Sequence, residues 1–320
     1  MNQQAPQTSP QPASPRDQLE QVIAQANTVI LGKDTQIRLA LACLLARGHL
    51  LIEDLPGLGK TTLAHVLARV LGLQFNRIQF TSDMLPADIL GVSIFDRRNS
   101  GFEFHPGPIF AQLVLADEVN RATPKAQSAL LEAMEERQVT IENETRALPV
   151  PFFVIATQNP HHLVGTFPLP ESQLDRFLMR IEMGYPGVRA ERELLTGRDR
   201  RDVLAELKPA MTSEDLMKLQ AGVTGIHVSE TLLDYLQAII DHSRQSADYE
   251  TGLSPRAGMA LLHGAQAWAL MHGRDHVQPE DLQAVLPGVV GHRLQVVADY
   301  GTSSKTDPVT QLLETVPIPR

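Results

Sequence analysis

The fold is decided by the stretch Leu50-Leu51-Ile52-Glu53-Asp54-Leu55-Pro56-Gly57-Leu58-Gly59-Lys60-Thr61-Thr62, in which an apolar run leads through a glycine-bearing loop into a helical pattern. Strand, loop and helix in this order are the context of a phosphate-binding loop. Gly57 and Gly59 allow backbone N–H groups to turn toward an anion, and the helix N-terminus adds partial positive charge. Lys60 can then reach the β- and γ-phosphates of ATP, and Thr61 can ligate Mg²⁺. The predicted nucleotide-binding residues of this loop are Pro56, Gly57, Leu58, Gly59, Lys60, Thr61 and Thr62.

The loop departs from the strict G-x-x-x-x-G-K-[ST] pattern at its first position, where Asp54 stands in place of glycine. A plain glycine turn that caps a helix is the alternative interpretation. Gly-Lys-Thr-Thr at a switch from strand to helix exceeds what such a turn needs, so the sequence favours phosphate binding.

Polar residues end two further apolar runs. Asp117 and Glu118 follow residues 113–116, and Asn159 follows residues 153–156, at the strand ends where open α/β sheets bind ligands. Two adjacent carboxylates are costly there without a cation or a reaction, although a solvated acidic strand end is the simple alternative. We expect Asp117 to hold Mg²⁺ and Glu118 to orient and polarise an attacking water. Asn159 is expected to contact the γ-phosphate or that water.

Apolar runs with strand character alternate with helical patterns over the first half of the chain, which predicts an α/β fold with a parallel sheet flanked by helices. The clearest helix is expected at Pro124–Glu136, with Thr123 as its N-cap. Two inserted hairpins are expected at residues 94–104 and 139–148, the second with an Asn143-Glu144 turn. The predicted strands cover residues 49–52, 75–80, 113–116, 152–157 and 177–183.

Composition divides the chain into four expected parts. Residues 1–15 are rich in Pro and Gln and predict a disordered leader. Residues 16–187 predict the α/β nucleotide-binding domain, and residues 188–305 predict a smaller, all-helical domain, because the strand pattern ends near residue 187. An irregular tail is expected at residues 306–320.

The overall composition excludes several classes of protein. The chain has 320 residues, of which 43% are hydrophobic, so a disordered or fibrous protein is excluded. A net charge of -9 disfavours sequence-independent nucleic-acid binding as the main activity, because it repels a phosphate backbone. Apolar runs are too short to cross a membrane. The single cysteine, Cys43, and the lack of an N-terminal apolar block predict a cytoplasmic location.

Two arginines are further candidate site residues. Arg176 lies in the segment Leu174-Asp175-Arg176-Phe177, where an Asp–Arg surface pair is an equal alternative. Arg256 lies in the first turn of a helix that begins at Pro255, where the helix dipole disfavours a cation. We therefore expect an anion beside Arg256, either a phosphate or a nearby glutamate.

Two weaker candidates are interpreted as ordinary surface. His161-His162 follows Asn159 and could ligate a metal or touch a partner, but adjacent imidazoles in a loop are more typical of exposed residues. Residues 198–201 contain three arginines interleaved with Asp199, which favours a solvated face.

These motifs together resemble the AAA+ ATPases, and within them the MoxR family. The stretches that carry the resemblance are long: ADEVNRATPKAQSALLEAMEE at 116–136, ATQNP at 156–160, GTFPLPE at 165–171 and LDRFL at 174–178. The resemblance covers the chain from about residue 17 to 300 and implies a P-loop AAA+ sheet followed by a helical lid domain.

Carried over residue by residue, the resemblance assigns Lys60 and Thr61 to the Walker A motif and Asp117 and Glu118 to Walker B. It makes Asn159 sensor 1, Arg176 the arginine finger and Arg256 sensor 2. Because an arginine finger acts on a neighbouring subunit's nucleotide, it implies a homo-oligomeric ring, usually a hexamer, that uses ATP and Mg²⁺. It further implies a chaperone-like motor that activates other proteins, often by metal or cofactor insertion, together with a partner that contains a von Willebrand factor A domain.

Two other functions remain open from the sequence. One is a nucleic-acid-dependent AAA+ motor, which the net charge disfavours without excluding it, because pore loops are local. The other is a nucleotide-gated scaffold without turnover, which Glu118 disfavours.

Overall fold

A parallel five-stranded sheet lies at the centre of the chain, in a computed structural model that describes residues 14–97, 100–159, 165–297 and 307–318. In chain order the strands of these ranges are β1 (Leu50–Glu53), β2 (Phe75–Gln79), β3 (Gly91–Asp96), β4 (Gly101–Pro106), β5 (Leu113–Asp117), β6 (Gln138–Ile141), β7 (Glu144–Ala147), β8 (Phe153–Gln158), β9 (Met179–Ile181), β10 (Tyr249–Thr251) and β11 (Gln295–Val296). The central sheet has the order β2-β5-β8-β1-β9, and each of its neighbouring pairs is parallel. The predicted α/β fold is therefore confirmed.

Helices cover the sheet and form most of the C-terminal half. They are α1 (Pro15–Val29), α2 (Asp34–Leu45), α3 (Lys60–Val70), α4 (Pro86–Leu90), α5 (Pro124–Glu136), α6 (Glu171–Leu174), α7 (Val188–Thr196), α8 (Arg200–Glu206), α9 (Ser213–Val223), α10 (Glu230–Gln245), α11 (Pro255–Met271), α12 (Pro279–Val290) and α13 (Pro308–Thr315). Within the described ranges, none of them combines the length and apolarity that a membrane crossing requires.

The inner strands β1, β5 and β8 are buried on both faces, which explains why they read as continuous apolar runs, whereas the edge strand β2 keeps polar, exposed residues. Along β8, Phe153 and Ile155 point into one hydrophobic cluster, whereas Val154 and Ala156 point into the other. The first cluster includes α1, α2 and α3, and α5 packs in the second. The interior of the sheet is thus fixed from two sides, and its strand ends carry the polar residues.

Helix α5 has the predicted bounds because its start is encoded locally. The Thr123 hydroxyl accepts a hydrogen bond from the Ala126 N–H at 3.5 Å, and Pro124 occupies the first helical position. Leu130 and Met134 face the core from the same side of the helix.

The C-terminal region is mostly helical, but two expectations about it were wrong. It contains a small antiparallel sheet of β10 and β11, so it is not all-helical. The tail is not irregular, because Asp307 caps α13 and Val309 and Leu312 bury their side chains in the main core. The domain limits at residues 187 and 305 stay predictions, since the helices of this region share that core with α1 and α2.

The N-terminal leader was predicted to extend to residue 15, but α1 already begins there. The Ser14 hydroxyl accepts a hydrogen bond from the Asp17 N–H at 3.2 Å, and Pro15 starts the helix. Residues 1–13 lie outside the described ranges.

Both predicted hairpins are present. The first pairs β3 with β4 and is longer than expected, since Gly91 pairs with Pro106. The second pairs β6 with β7, but its turn residues are Glu142 and Asn143, one position earlier than predicted. Both have positive φ, 51° and 67°, as a two-residue hairpin turn requires.

His49 precedes β1 and is buried. Its Nδ1 accepts a hydrogen bond from the Val154 N–H at 3.0 Å, and its Nε2 donates to the Met134 carbonyl at 3.1 Å. Burial lowers the pKa of His49 from 6.5 to about 4. The ring is therefore neutral in the folded protein at pH 7.

His49 predicts a loss of stability in mild acid. Below pH 6.5 the unfolded chain binds a proton at His49, whereas the folded chain does so only near pH 4. The free energy of unfolding should therefore fall by up to about 3 kcal/mol between pH 6.5 and 4. Urea unfolding across this range should give a steeper pH dependence for wild type than for His49→Gln, whose amide keeps one donor and one acceptor. Equal pH slopes in the two proteins would contradict this account.

Candidate functional site

The predicted phosphate-binding loop joins β1 to α3 as expected. Gly57 and Gly59 have φ of 86° and 89°, in the left-handed region that glycine adopts at little cost. A side chain at either position would meet no neighbouring atom within 4 Å, so backbone conformation rather than space requires glycine there. Helix α3 begins at Lys60, and its first N–H groups lie beside the loop. This arrangement is that of an anion-binding helix N-terminus.

Asp54, the residue at which the loop departs from the strict pattern, anchors the loop. Its Oδ2 accepts a hydrogen bond from the Gly184 N–H at 2.6 Å, and its Oδ1 accepts one from the Leu55 N–H at 2.7 Å. Gly184 lies just beyond β9, at the far edge of the sheet from β2. The residue that replaces glycine therefore fastens the loop to a neighbouring segment of the fold.

Lys60 and Asn159 meet at the same edge. The Lys60 ammonium donates to Asn159 Oδ1 at 2.9 Å and to the Asp54 carbonyl. Burial lowers the pKa of Lys60, and the nearby carboxylates, Asp54, Asp117, Glu118 and Glu53, oppose that shift. Both hydrogen-bond acceptors are neutral oxygens, so a phosphate that replaces them gains a full charge interaction.

Asp117 is buried and held by two residues that the sequence did not single out. Thr157 Oγ1 donates to Asp117 Oδ1 at 2.6 Å and accepts from the Glu118 N–H at 2.9 Å. Arg77, on edge strand β2, donates to Asp117 Oδ2 at 2.7 Å through Nη2. The carboxylate is therefore fixed in place and its charge is balanced.

Glu118 has φ of 58°, a left-handed conformation that is strained for a residue with a side chain. Its Oε2 accepts from Arg121 Nη1 at 2.9 Å and from Gln79 Nε2 at 3.1 Å. Asn159 Nδ2 lies 3.5 Å from Oε1. The backbone thus turns sharply after Asp117 and aims the second carboxylate toward Lys60 and Asn159.

A divalent metal ion at this edge would have few protein ligands. Within the described ranges, no cluster of three His, Cys, Asp or Glu side chains can hold a metal ion by itself. The Thr61 hydroxyl and the Asp117 carboxylate are hard oxygen donors, the type that Mg²⁺ prefers. Such a donor set suits an ion that arrives with a nucleotide and keeps its waters.

A cavity of about 220 Å³ adjoins the phosphate-binding loop and is lined by residues that no sequence motif connects. Its walls are mainly apolar and come from the end of α1, the loop itself and the segment around α7. The main apolar lining residues are Val29, Ile30, Leu31, Leu58, Pro186 and Leu194. The position and apolar lining suit a nucleotide base.

Arg200 corrects the expectation that residues 198–201 form a solvated face. Arg198 is exposed and pairs with Glu206, but Arg200 lines the cavity and is half-buried. Arg200 donates to the Thr28 carbonyl at 3.2 Å and to the Glu193 carbonyl at 3.3 Å. Its Nε is buried without a hydrogen-bond partner in the described part of the chain.

Arg176 and Arg256 do not lie at the phosphate-binding loop. They line a second pocket, of about 270 Å³, together with Gly48 and His49, which precede β1, so it lies at the opposite end of that strand. Glu135 of α5 pairs with both arginines. The predicted site residues therefore form two groups, and the anion beside Arg256 is a glutamate.

The site residues that the sequence motifs did not identify become relevant only through contacts between distant parts of the chain. Arg77 and Gln79 are polar residues at alternate positions of β2, so they share a face next to Asp117, but only the strand order makes them relevant. The base-sized cavity combines segments about 150 residues apart. His161-His162 lies outside the described residues.

Known proteins resemble the chain along most of its length. The model of the ATPase family associated with various cellular activities (AAA) matches residues 49–179, and the AAA lid domain model matches residues 241–312. YeaC of Bacillus subtilis, an uncharacterised protein, is 45% identical over 87% of both chains. Chaperone MoxR1 of Mycobacterium tuberculosis is 39% identical over 94% of this chain and 82% of its own. The crystal structure of a candidate ATPase from Cytophaga hutchinsonii is 35% identical, covers 96% of both chains and has a TM-score of 0.86.

Thr157 predicts a measurable contribution to stability. Thr157→Val preserves the shape of the side chain but leaves Asp117 Oδ1 and the Glu118 N–H without their hydroxyl partner. The free energy of unfolding should fall by about 2 kcal/mol or more in urea titrations, because unpaired buried polar groups cost about 1 to 3 kcal/mol each. Thr157→Ser keeps the hydroxyl and should lose less. A Thr157→Val protein as stable as wild type would refute the role of this hydroxyl.

Proposed function

Because the chain belongs to the MoxR family of AAA+ ATPases, we propose that it hydrolyses ATP with Mg²⁺ and uses the reaction to remodel or activate partner proteins. The observation that carries the proposal is the convergence of Lys60, Asn159, Asp117 and Glu118 at one edge of the sheet. A cation, a neutral amide and two carboxylates in that arrangement suit phosphoryl transfer to water.

In the proposed complex, the triphosphate lies along the phosphate-binding loop and the base enters the cavity beside it. Gly57 and Gly59 turn backbone N–H groups toward the phosphates, and Lys60 contacts the terminal ones. Thr61 and Asp117 would hold Mg²⁺, which would balance charge on the β- and γ-phosphates. The apolar lining around Leu31 and Leu194 supports this placement of the base.

The proposed reaction transfers the γ-phosphoryl group to water. The water oxygen bonds to the γ-phosphorus while the bond to the bridging oxygen of ADP breaks, and inorganic phosphate is released. Glu118 orients the water and accepts its proton, and Asn159 lies close enough to hold the water or the phosphate. Gln79 and Arg121 both contact Oε2 of Glu118, which leaves Oε1, on the side of Asn159, to accept the hydrogen bond from the water.

Arg176 and Arg256 are proposed to act on the nucleotide of a neighbouring subunit. Their pocket lies at the strand end away from the phosphate-binding loop, which supports action in trans for both. A head-to-tail contact of this kind closes into a ring, and the family resemblance favours a hexamer.

Partner binding is proposed for the first hairpin. Phe95 and Phe102 face each other across β3 and β4, with ring centroids 5.4 Å apart, and 74% of Phe102 is exposed. Exposed aromatic pairs are typical of protein contact sites. By resemblance, we propose a partner with a von Willebrand factor A domain, a cytoplasmic location, and clients that require metal or cofactor insertion.

Loss-of-function variants should separate binding from turnover. Lys60→Ala should weaken binding of a fluorescent ATP analogue at least about tenfold, because a charge-assisted contact is lost. Glu118→Gln should bind the analogue normally but lower the rate of phosphate release at least about 100-fold, because it cannot accept a proton. Phosphate release should also stop when Mg²⁺ is chelated.

Arg198→Ala provides the control, because it removes an exposed charge whose partner is Glu206. It should leave both binding and turnover unchanged. Wild-type protein that binds ATP without turnover would indicate a nucleotide-gated scaffold. Turnover that requires DNA would indicate a nucleic-acid motor instead.

A further inference from the structure

One carboxylate joins the two arginines that lie far from the phosphate-binding loop. Glu135 Oε1 pairs with Arg256 Nη2, and Glu135 Oε2 lies 3.8 Å from Arg176 Nη1. Arg176 Nη1 also donates to the Leu131 carbonyl at 3.0 Å, one turn earlier on α5. Three separate parts of the chain therefore meet at Glu135: α5, the segment before β9, and the first turn of α11.

We propose that Glu135 is a positioning residue that holds Arg176 and Arg256 together as one anion-binding pair for the nucleotide of a second copy of this chain. The inference rests on the proposed function, because it requires that these arginines act on a neighbour's triphosphate. Neither the sequence motifs nor the comparisons assign a role to Glu135.

The solvent exposure of the three side chains indicates that their contacts have a role beyond stabilising the fold. The side chains of Glu135, Arg176 and Arg256 are 36%, 32% and 43% exposed. Ion pairs this open to water contribute little to folding free energy. They still orient the two guanidinium groups. Two cations close together repel each other, and the Glu135 carboxylate between them offsets that repulsion.

The charge of the pocket fits an anionic ligand. Arg47 and Arg137 also line it, and Arg293 is already neutralised by Asp175 at 2.7 Å. Besides Arg293, four arginines thus line the same pocket as Glu135, in a protein whose net charge is -9. A guanidinium has five N–H donors, so an arginine that contacts Glu135 through one nitrogen retains donors for a phosphate. A triphosphate would supply the negative charge that balances these arginines.

The central variant is Glu135→Gln, which keeps the size of the side chain and removes its charge. Turnover at saturating ATP should fall about 10- to 100-fold, because the two arginines are no longer held in register. In samples dilute enough to contain only monomers, affinity for the fluorescent ATP analogue should stay at the wild-type value, because the loop is untouched. The midpoint of thermal unfolding should also stay unchanged, because the core is untouched. Glu132→Gln, the same change at an exposed residue about one turn earlier on α5 that does not line the arginine pocket, should retain full turnover.

Mixing subunits tests whether Glu135 acts in trans. Lys60→Ala lacks a working loop but has intact arginines, and Glu135→Gln has the reverse defect. When the two variants are mixed, some interfaces combine the intact loop of Glu135→Gln with the intact arginines of Lys60→Ala. Turnover should return at these interfaces. Lys60→Ala mixed with Arg176→Ala is the reference, and light scattering after size-exclusion chromatography confirms that the mixed samples assemble.

Each outcome decides one point. Restored turnover in both mixtures supports the inference. Restoration with Arg176→Ala but not with Glu135→Gln would overturn the role of Glu135 and leave the proposed function standing. No restoration in either mixture would overturn action in trans, and the inference with it. Turnover of Glu135→Gln at or above that of wild type would show that Glu135 competes with the phosphate instead of positioning its ligands.

Discussion

The site depends on the register between strands β1, β5 and β8. Ile155 of β8 pairs with Leu50 on one side and with Leu115 on the other, so the three strands lie level. Two residues further along, Asp117 and Thr157 reach the same height, and their side chains meet at 2.6 Å. A slip of one residue would turn Thr157 to the opposite face and break this contact. Burial on both faces disfavours that slip, because the side chains of the slipped strand would move to the hydrophobic cluster on the opposite face.

Charge balance at the loop edge differs from that at the arginine pocket. At the loop, Lys60 rests on neutral oxygens, whereas Asp117 and Glu118 are paired with arginines. A phosphate can therefore approach Lys60 without breaking an ion pair. At the arginine pocket the cations are in excess and one glutamate lies among them. In the proposed assembly, each group would be one part of a site for a triphosphate, which both subunits together would complete.

Sequence reasoning succeeded where the chemistry is local in the chain. The strand, loop and helix from Leu50 to Thr62 and the capped helix α5 are encoded within a few residues, and the family resemblance rests on similarly compact stretches. It failed where distant segments meet. Arg77 and Gln79 gain their meaning only from the pairing of β2 with β5, and Arg200 only from the packing of α8 on α1. Helix α13 was missed because its apolar residues are few and become buried only against the completed core.

The central claim is that one chain supplies the loop and a second copy supplies the arginines. The most direct test is turnover per subunit as a function of protein concentration, with the assembly state followed by analytical ultracentrifugation in the same buffer with ATP and Mg²⁺. The account predicts that turnover per subunit rises as monomers assemble and reaches a plateau when the ring is complete. Constant turnover per subunit down to concentrations at which only monomers sediment would contradict it.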